Sequence, residues 1–408
     1  MPNFVVPEWM WVRGNARAKH RNSHTFSNVV TPAQRLLGVQ LKDWKVLQLI
    51  GTDEASTGGF FSSQYRVQNV STGQQAFLKA IDLHKRPTKT TPEEQTDVIA
   101  RGIRHFHYES KLLQLCDGKK LDRVVRALDS GIHIIEIPEH GATLQVPYIV
   151  FEEAKADLRH HPQGQTFNLA WRLRIFHGVA VAVAQLHSAE IAHQDLKPSN
   201  VLVFEDDFAK VGDLGRATDR QIPSDYQLHD HAGDRNYYPF ELLYGEYSST
   251  SWERRRLGAD LFMMGCVLAY LMCDASFLVL TFERLDKQFW PARWGGEYKA
   301  VVPHLQAAIE DVLREIEDSL PADVGPEISA LIYQLCNPDP RARGWPHQCD
   351  HGKWTHAPDV GPVLAQYDLS RTISRFDFLA TRAKTMDVSK RAPENPTRFW
   401  EWFVTNNR

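Results

Sequence analysis

The stretch His193-Gln194-Asp195-Leu196-Lys197-Pro198-Ser199-Asn200 decides how the rest of this 408-residue chain is read. A short apolar run, Val201-Leu202-Val203-Phe204, follows it, and then Lys210-Val211-Gly212-Asp213-Leu214-Gly215. The apolar run between turn residues predicts a strand. Two acids, a lysine and an amide therefore fall on two neighbouring turns. Phosphoryl transfer from a nucleotide uses that set. One carboxylate orients the attacking hydroxyl, an amide and a second carboxylate hold the metal that offsets phosphate charge, and a lysine lies near the transferred group.

The first run resembles the catalytic loop of protein kinases, and Asp213-Leu214-Gly215 resembles their DFG turn. The resemblance implies catalytic roles for Asp195 and Lys197, Mg²⁺ ligation by Asn200 and Asp213, ATP as the donor and a protein as the acceptor. Lys197 in the loop favours serine or threonine hydroxyls over tyrosine. Leu202, on the strand that follows, is expected beside the nucleotide.

Other landmarks fall in the same order. Ala76-Phe77-Leu78-Lys79-Ala80-Ile81-Asp82 reads as a strand carrying one lysine. An unpaired ammonium there would be costly to bury. Phe106, Leu112, Leu113 and Cys116 recur at helical spacing, which predicts a helix around Glu109. By resemblance, Glu109 pairs with Lys79, and Lys79 holds the nucleotide phosphates. Pro147-Tyr148-Ile149-Val150-Phe151-Glu152-Glu153-Ala154 resembles the strand that enters the kinase hinge. Phe151 then stands beside the adenine pocket, with the backbone of Glu152 to Ala154 facing the adenine edge. A helix over about 168–187 precedes the catalytic loop.

Gly233-Asp234-Arg235-Asn236-Tyr237-Tyr238-Pro239-Phe240-Glu241 resembles the end of a kinase activation segment. Asn337-Pro338-Asp339-Pro340-Arg341-Ala342-Arg343 resembles the pattern that supplies a buried arginine, so Arg343 is expected to pair with Glu241. Gly258-Ala259-Asp260 resembles the start of the kinase F-helix, whose aspartate anchors the catalytic loop. Leu261 to Leu280 is apolar enough to suggest a membrane span, but Asp274 interrupts it and the resemblance makes it a buried central helix.

The resemblance covers about residues 44–346. It implies an α+β, bilobal fold, with a small antiparallel-sheet lobe and a large, mainly helical lobe. The expected organisation is an N-terminal extension (1–43), the small lobe (44–155), the large lobe (156–346) and a C-terminal extension (347–408). Arg371 to Met386 reads as a helix, and Phe399-Trp400-Glu401-Trp402-Phe403 carries four aromatics that are costly to leave in water. The extensions are expected to pack on the core or to dock a partner. His347, Cys349, His351 and His356 lie close in sequence but fit no zinc spacing.

Several positions depart from the family pattern. In Ile50-Gly51-Thr52-Asp53-Glu54-Ala55-Ser56-Thr57-Gly58-Gly59-Phe60-Phe61-Ser62-Ser63-Gln64-Tyr65, Gly58 and Gly59 are the candidate phosphate-loop glycines. Ser62 replaces a glycine and Gln64 replaces a valine. Phe77 replaces a small residue that lines the adenine pocket. Gln194 replaces the arginine that commonly reads an activation-loop phosphate, so activity without such a phosphate is expected. The candidate hydroxyls for one are Thr218, Ser224 and Tyr226. Asp234 replaces a threonine, and a carboxylate there could bond Lys197 or repel phosphate.

A net charge of −3 gives no general reason to expect nucleic-acid or membrane binding. Five cysteines, odd in number and widely spaced, and opening residues without a secretory pattern predict reduced thiols in the cytoplasm. The residues support an active Ser/Thr protein kinase. Two alternatives stay open: a pseudokinase scaffold that binds nucleotide or partners without transfer, and a small-molecule kinase of related fold.

Overall fold

The computed structural model describes residues 30–52, 61–83, 92–137, 142–160, 169–223, 233–246, 252–344, 349–350, 353–354 and 369–385. Six strands form the small lobe: β1 (Gln40–Leu41), β2 (Trp44–Thr52), β3 (Phe61–Asn69), β4 (Gln75–Asp82), β5 (Ala127–Ile137) and β6 (Ala142–Glu152). All pairings are antiparallel, in the order β1-β2-β3-β4-β6-β5. Alternation along β4 divides its side chains between the two faces. Ala76, Leu78 and Ala80 are fully buried on one face, while Phe77 and Lys79 lie on the other and are partly accessible.

The face that carries Leu78 builds a core of its own with Tyr65, Val67, Val146, Tyr148 and Val150. Residues 33–41, within the expected N-terminal extension, complete it: Ala33 and Leu36 are fully buried there. The Tyr65 hydroxyl, buried with them, donates to the Ala33 carbonyl at 2.7 Å, which satisfies a polar group the core could not otherwise hold. Helix α1 (Pro92–Gly118) packs against the sheet and starts well before the stretch recognisable from its apolar face. Phe106, Leu112, Leu113 and Cys116 are buried, as their spacing predicts.

The large lobe is mainly helical. It comprises α2 (Leu169–Ser188), α3 (Phe240–Leu243), α4 (Gly258–Cys273), α5 (Phe277–Arg284), α6 (Tyr298–Asp318) and α7 (Gly325–Leu335). It also holds two small sheets: β7 (Ala156–Asp157), β9 (Val201–Val203) and β10 (Ala209–Val211) in one, and β8 (Ile191–Ala192) with β11 (Thr218–Asp219) in the other. A strand pair, β12 (Cys349–Asp350) with β13 (Lys353–Trp354), lies further along the chain. The bilobal α+β expectation holds.

The one span of membrane-crossing length and hydropathy among the described residues is Glu253–Cys273, and 89% of its apolar window is buried in the protein. It is the central helix of the lobe. Asp274 ends it in the left-handed region (φ +55), where its carboxylate accepts from Arg172 Nη2 at 3.1 Å. The apolar run of the sequence is thus two helices, α4 and α5, separated by a charged turn.

Helix α8 (Ser370–Thr385), within the expected C-terminal extension, docks on α2. Phe376 is fully buried with its ring centroid 4.3 Å from that of Phe176, and Leu379 and Ala380 are buried beside it. Truncating a buried phenylalanine of this kind typically costs about 3–5 kcal/mol. The aromatic cluster at 399–403, His347, His351 and His356 lie outside the described residues.

Candidate active site

The loop after β8 is held from below by one carboxylate. Asp260, fully buried on α4, accepts the His193 N–H at 2.7 Å and the Gln194 N–H at 2.8 Å. His187 Nε2 lies 3.0 Å from the same group. Burial alone would push this carboxyl up. The His187 bond and the backbone N–H more than offset it, so it lies below the usual aspartate range. The aspartate anchor expected from the sequence is present.

Gln194 adopts φ +64, uncommon for a residue with a side chain. Its amide turns inward. Nε2 donates to the Arg256 carbonyl at 2.9 Å, and Oε1 accepts from Arg256 Nη1 at 3.1 Å. Both side chains are buried. The residue that departs from the family pattern therefore occupies a structural socket. His193 is fixed too, with Nε2 3.0 Å from the Gly212 carbonyl and Nδ1 3.3 Å from the Asp195 N–H.

Three of the sequence-derived residues converge at the mouth of this loop. Asp195 Oδ1 accepts the Asp234 N–H at 2.9 Å, and its Oδ2 lies 3.3 Å from Lys197 Nζ. Asn200 Nδ2 donates to the Asp195 carbonyl at 2.7 Å. Lys197 also lies 3.6 Å from the Asp234 carboxylate, the contact the sequence suggested. Burial pushes the Asp195 carboxyl up, with Lys197 opposing it. Gly233 makes the approach possible. It sits at φ +102, and a Cβ there would fall 2.3 Å from the Gln194 carbonyl oxygen.

Across the cleft, Lys79 Nζ lies 2.8 Å from Asp213 Oδ1 and 3.5 Å from Glu109 Oε1. Strand β4, the turn after β10 and helix α1 each supply one member. Burial would lower the lysine, but Asp213 and then Glu109 outweigh it and hold the ammonium above its ordinary range. Asp213, beside Lys79, is held well below the usual carboxylate range. Burial pushes Glu109 the other way, up, with Lys79 opposing. Asp213 itself adopts φ +61, which lets Leu214 turn into the core while the carboxylate stays 43% exposed at the cleft.

The expected adenine side lies between the lobes. Phe151 pairs with Phe77 in register across β6 and β4, with ring centroids 6.4 Å apart. The Glu152 carboxylate faces away from that edge, taking Lys210 Nζ at 2.6 Å and the Arg126 N–H at 2.8 Å. Ala154 follows β6, and Leu202 on β9 pairs with Lys210 of β10 and Asp157 of β7. Gly58 and Gly59 lie outside the described residues.

One expectation is corrected. Thr218 is no accessible hydroxyl for modification: it is fully buried in β11, paired with Ala192 of β8. Ser224 and Tyr226 lie outside the described residues. The roles of Lys210 and Arg256 were not foreseen, because a lone basic residue carries no signal of the buried or inter-lobe partner it meets.

The Asp213 carboxylate and the Asn200 amide are hard oxygen donors on adjacent turns at the cleft. They fit Mg²⁺, which ordinarily takes one or two protein oxygens and completes its shell with phosphate and water.

A family model described as a protein kinase domain matches residues 56–355. Over 329 residues the chain is 23% identical to an SNF-related serine/threonine-protein kinase of Homo sapiens, covering 79% of this chain and 35% of that protein. It is 28% identical over 236 residues to the serine/threonine-protein kinase PLK4 of Nematostella vectensis, covering 58% and 21%. It is 27% identical over 223 residues to mitogen-activated protein kinase 17 of Arabidopsis thaliana, covering 52% and 42%. The aligned stretch spans less than half the length of each of these relatives.

Proposed function

The chain belongs to the protein kinase family, and from that premise we propose that it transfers the γ-phosphoryl group of ATP to serine or threonine hydroxyls of a protein substrate. The observation that carries the proposal is the meeting of Lys79 with Asp213 and Glu109, at 2.8 and 3.5 Å, opposite the Asp195–Lys197 pair. Asp195 aligns the acceptor hydroxyl and takes its proton late, since a carboxylate is too weak a base to remove it early. Burial raises its proton affinity toward that task. Lys197 offsets charge on the γ-phosphate as its bond to the leaving oxygen breaks. Lys79, clamped by Glu109, positions the α- and β-phosphates.

Asn200 and Asp213 are the residues that would hold Mg²⁺, which neutralises phosphate charge when bound. Phe151, the backbone of Glu152 and Ala154, and Leu202 are assigned to the nucleotide, as are the sequence candidates Gly58 and Gly59.

A pseudokinase scaffold is the second reading. Phe77 favours it, because a bulky ring in register with Phe151 crowds the adenine side. The third reading, a small-molecule kinase, is disfavoured by the Glu241–Arg343 pair that staples the activation segment.

Incubating the protein with γ-labelled ATP, Mg²⁺, mixed protein acceptors and a pool of small alcohols tests all three. Labelled protein, absent with Asp195→Asn, is the expected result. Label only in small molecules, or no transfer beside retained nucleotide binding, would establish one of the alternatives.

A further inference from the structure

Glu190 stands in the turn between α2 and β8 with a left-handed backbone, φ +61. That conformation suits glycine or asparagine, and a glutamate there is strained. Its side chain shows what the strain accompanies. Oε1 accepts from Arg220 Nη1 at 3.2 Å and Oε2 from Gln221 Nε2 at 2.7 Å. The Glu190 carbonyl accepts the Arg220 N–H at 3.0 Å. One residue thus occupies three donors on two successive positions of the segment that follows Asp213-Leu214-Gly215.

The same short segment reaches two further elements. Arg220 Nη1 also lies 3.0 Å from Glu253 Oε1, in the turn that leads into α4. Asp219 Oδ1 accepts the Gln221 and Ile222 N–H groups, each at 2.7 Å. The Asp219 N–H donates to the Tyr108 hydroxyl at 3.0 Å, and Tyr108 precedes Glu109 on α1. Residues 218–222 therefore tie the α2–β8 turn, the π-helical turn Glu253–Leu257 that leads into α4, and the helix that carries Glu109 into one unit.

We infer that Glu190 is a positioning residue that anchors residues 219–222, just after Asp213-Leu214-Gly215, with a resident carboxylate, holding α1 and Glu109 in the Lys79-paired position without a phosphate. The negative charge a modified hydroxyl would bring is already in the chain, bonded to Arg220. The Glu190 and Arg220 side chains are 42% and 48% exposed, so a single such pair contributes little. The weight lies in the network of three bonds at Glu190 plus the Glu253 and Tyr108 contacts. Its kinetic consequence rests on the proposed phosphoryl transfer. Its structural consequence does not.

Glu190→Gly separates this role from a purely structural one, because it relieves the strained backbone while deleting the carboxylate. The full-length variant and wild type are compared by amide exchange over residues 219–222, thermal midpoint, and kcat/KM on a protein acceptor at low and high salt. Expected for the variant are a midpoint within about 2 °C of wild type and exchange about tenfold faster over 219–222. Its kcat/KM should be about fivefold lower at low salt. Both proteins share the salt dependence of nucleotide binding, so added salt should narrow the ratio between the wild-type and variant values. Glu190→Gln, which keeps one acceptor oxygen, should fall between the two.

Wild-type exchange and activity in Glu190→Gly would overturn the inference, as would losses that merely track a fallen midpoint. If wild type transfers no phosphoryl group, the proposed function fails. The exchange measurement then decides the anchoring role by itself, with unchanged protection overturning it.

Discussion

Arg343 and Glu241, 102 residues apart in the chain, form a two-pronged ion pair with both N–O distances at 2.8 Å and the arginine fully buried. The guanidinium also donates to the Asn337 and Gly258 carbonyls and lies over the Phe262 ring, 5.1 Å from its centroid. Every direction of the planar fork is thus occupied, which is the condition under which a buried arginine is tolerated. Glu241 lies in the first turn of α3 at the end of the activation segment, so the pair fastens that segment to the large lobe.

Glu241→Ala should therefore leave an uncompensated guanidinium in the core and cost about 3–5 kcal/mol. Arg343→Lys should lose a large part of this too, because a single ammonium cannot reproduce the fork. Denaturant midpoints at constant m check both. A loss under about 1 kcal/mol for Glu241→Ala would show that the arginine finds water or another acceptor.

The site was legible wherever chemistry demands residue types at fixed local spacing. Asp195, Lys197 and Asn200 lie within one loop, and their mutual contacts follow from that closeness. Lys79, Glu109 and Asp213 are far apart in sequence, and at that level only the family resemblance joins them. Thr218 was misread because a hydroxyl in a polar-looking stretch gives no sign that its backbone pairs with Ala192 and buries it. The full length of α1 was missed because its first turns lack the apolar face that marks the rest. Residues 33–41 and α8 show a related limit. Few apolar residues suffice to dock a short segment, and which face they cover is a tertiary fact.

The acid side of the pH–rate profile should report Asp195. Burial raises its pKa above the ordinary aspartate value, and the attraction of Lys197 pulls it partly back. On the proposed function, the carboxylate must be ionised to align the acceptor. As pH falls, it takes up a proton earlier than a solvated aspartate, so kcat/KM should begin to drop at a higher pH than a solvated aspartate would impose. Lys197→Met removes the opposing charge and should move that limb further up, on whatever activity remains. A limb that stays fixed in Lys197→Met would assign the titration to another group.

Phe77 offers a separate test of the nucleotide pocket. Its ring is in register with Phe151, 6.4 Å away, at the place where the family keeps a small side chain. Phe77→Ala should open the adenine side and tighten ATP binding by about tenfold, equivalent to ~1.4 kcal/mol. Calorimetric titration with ATP and Mg²⁺ reads this directly. Weaker binding in the variant would mean that the ring stacks on the base instead of obstructing it, and that the pocket is built for a flatter or displaced nucleotide.

Restoring the family's arginine at position 194 should harm this protein. Gln194 is 3% exposed, and its amide gives a donor to the Arg256 carbonyl and an acceptor to the Arg256 guanidinium. Gln194→Arg replaces that acceptor with a second buried cation. An arginine has no acceptor at all, so the bond from Arg256 Nη1 to position 194 is lost while like charges are brought together. The expected cost is about 2–4 kcal/mol in unfolding free energy. Transfer activity should fall with it, because the same residue's N–H is one of the two that hold the catalytic loop on Asp260. Pairing the substitution with Arg256→Leu removes the repulsion and should recover part of the stability. A Gln194→Arg protein as stable as wild type would show that the socket admits a guanidinium pointing outward, and that the glutamine is not held there by Arg256.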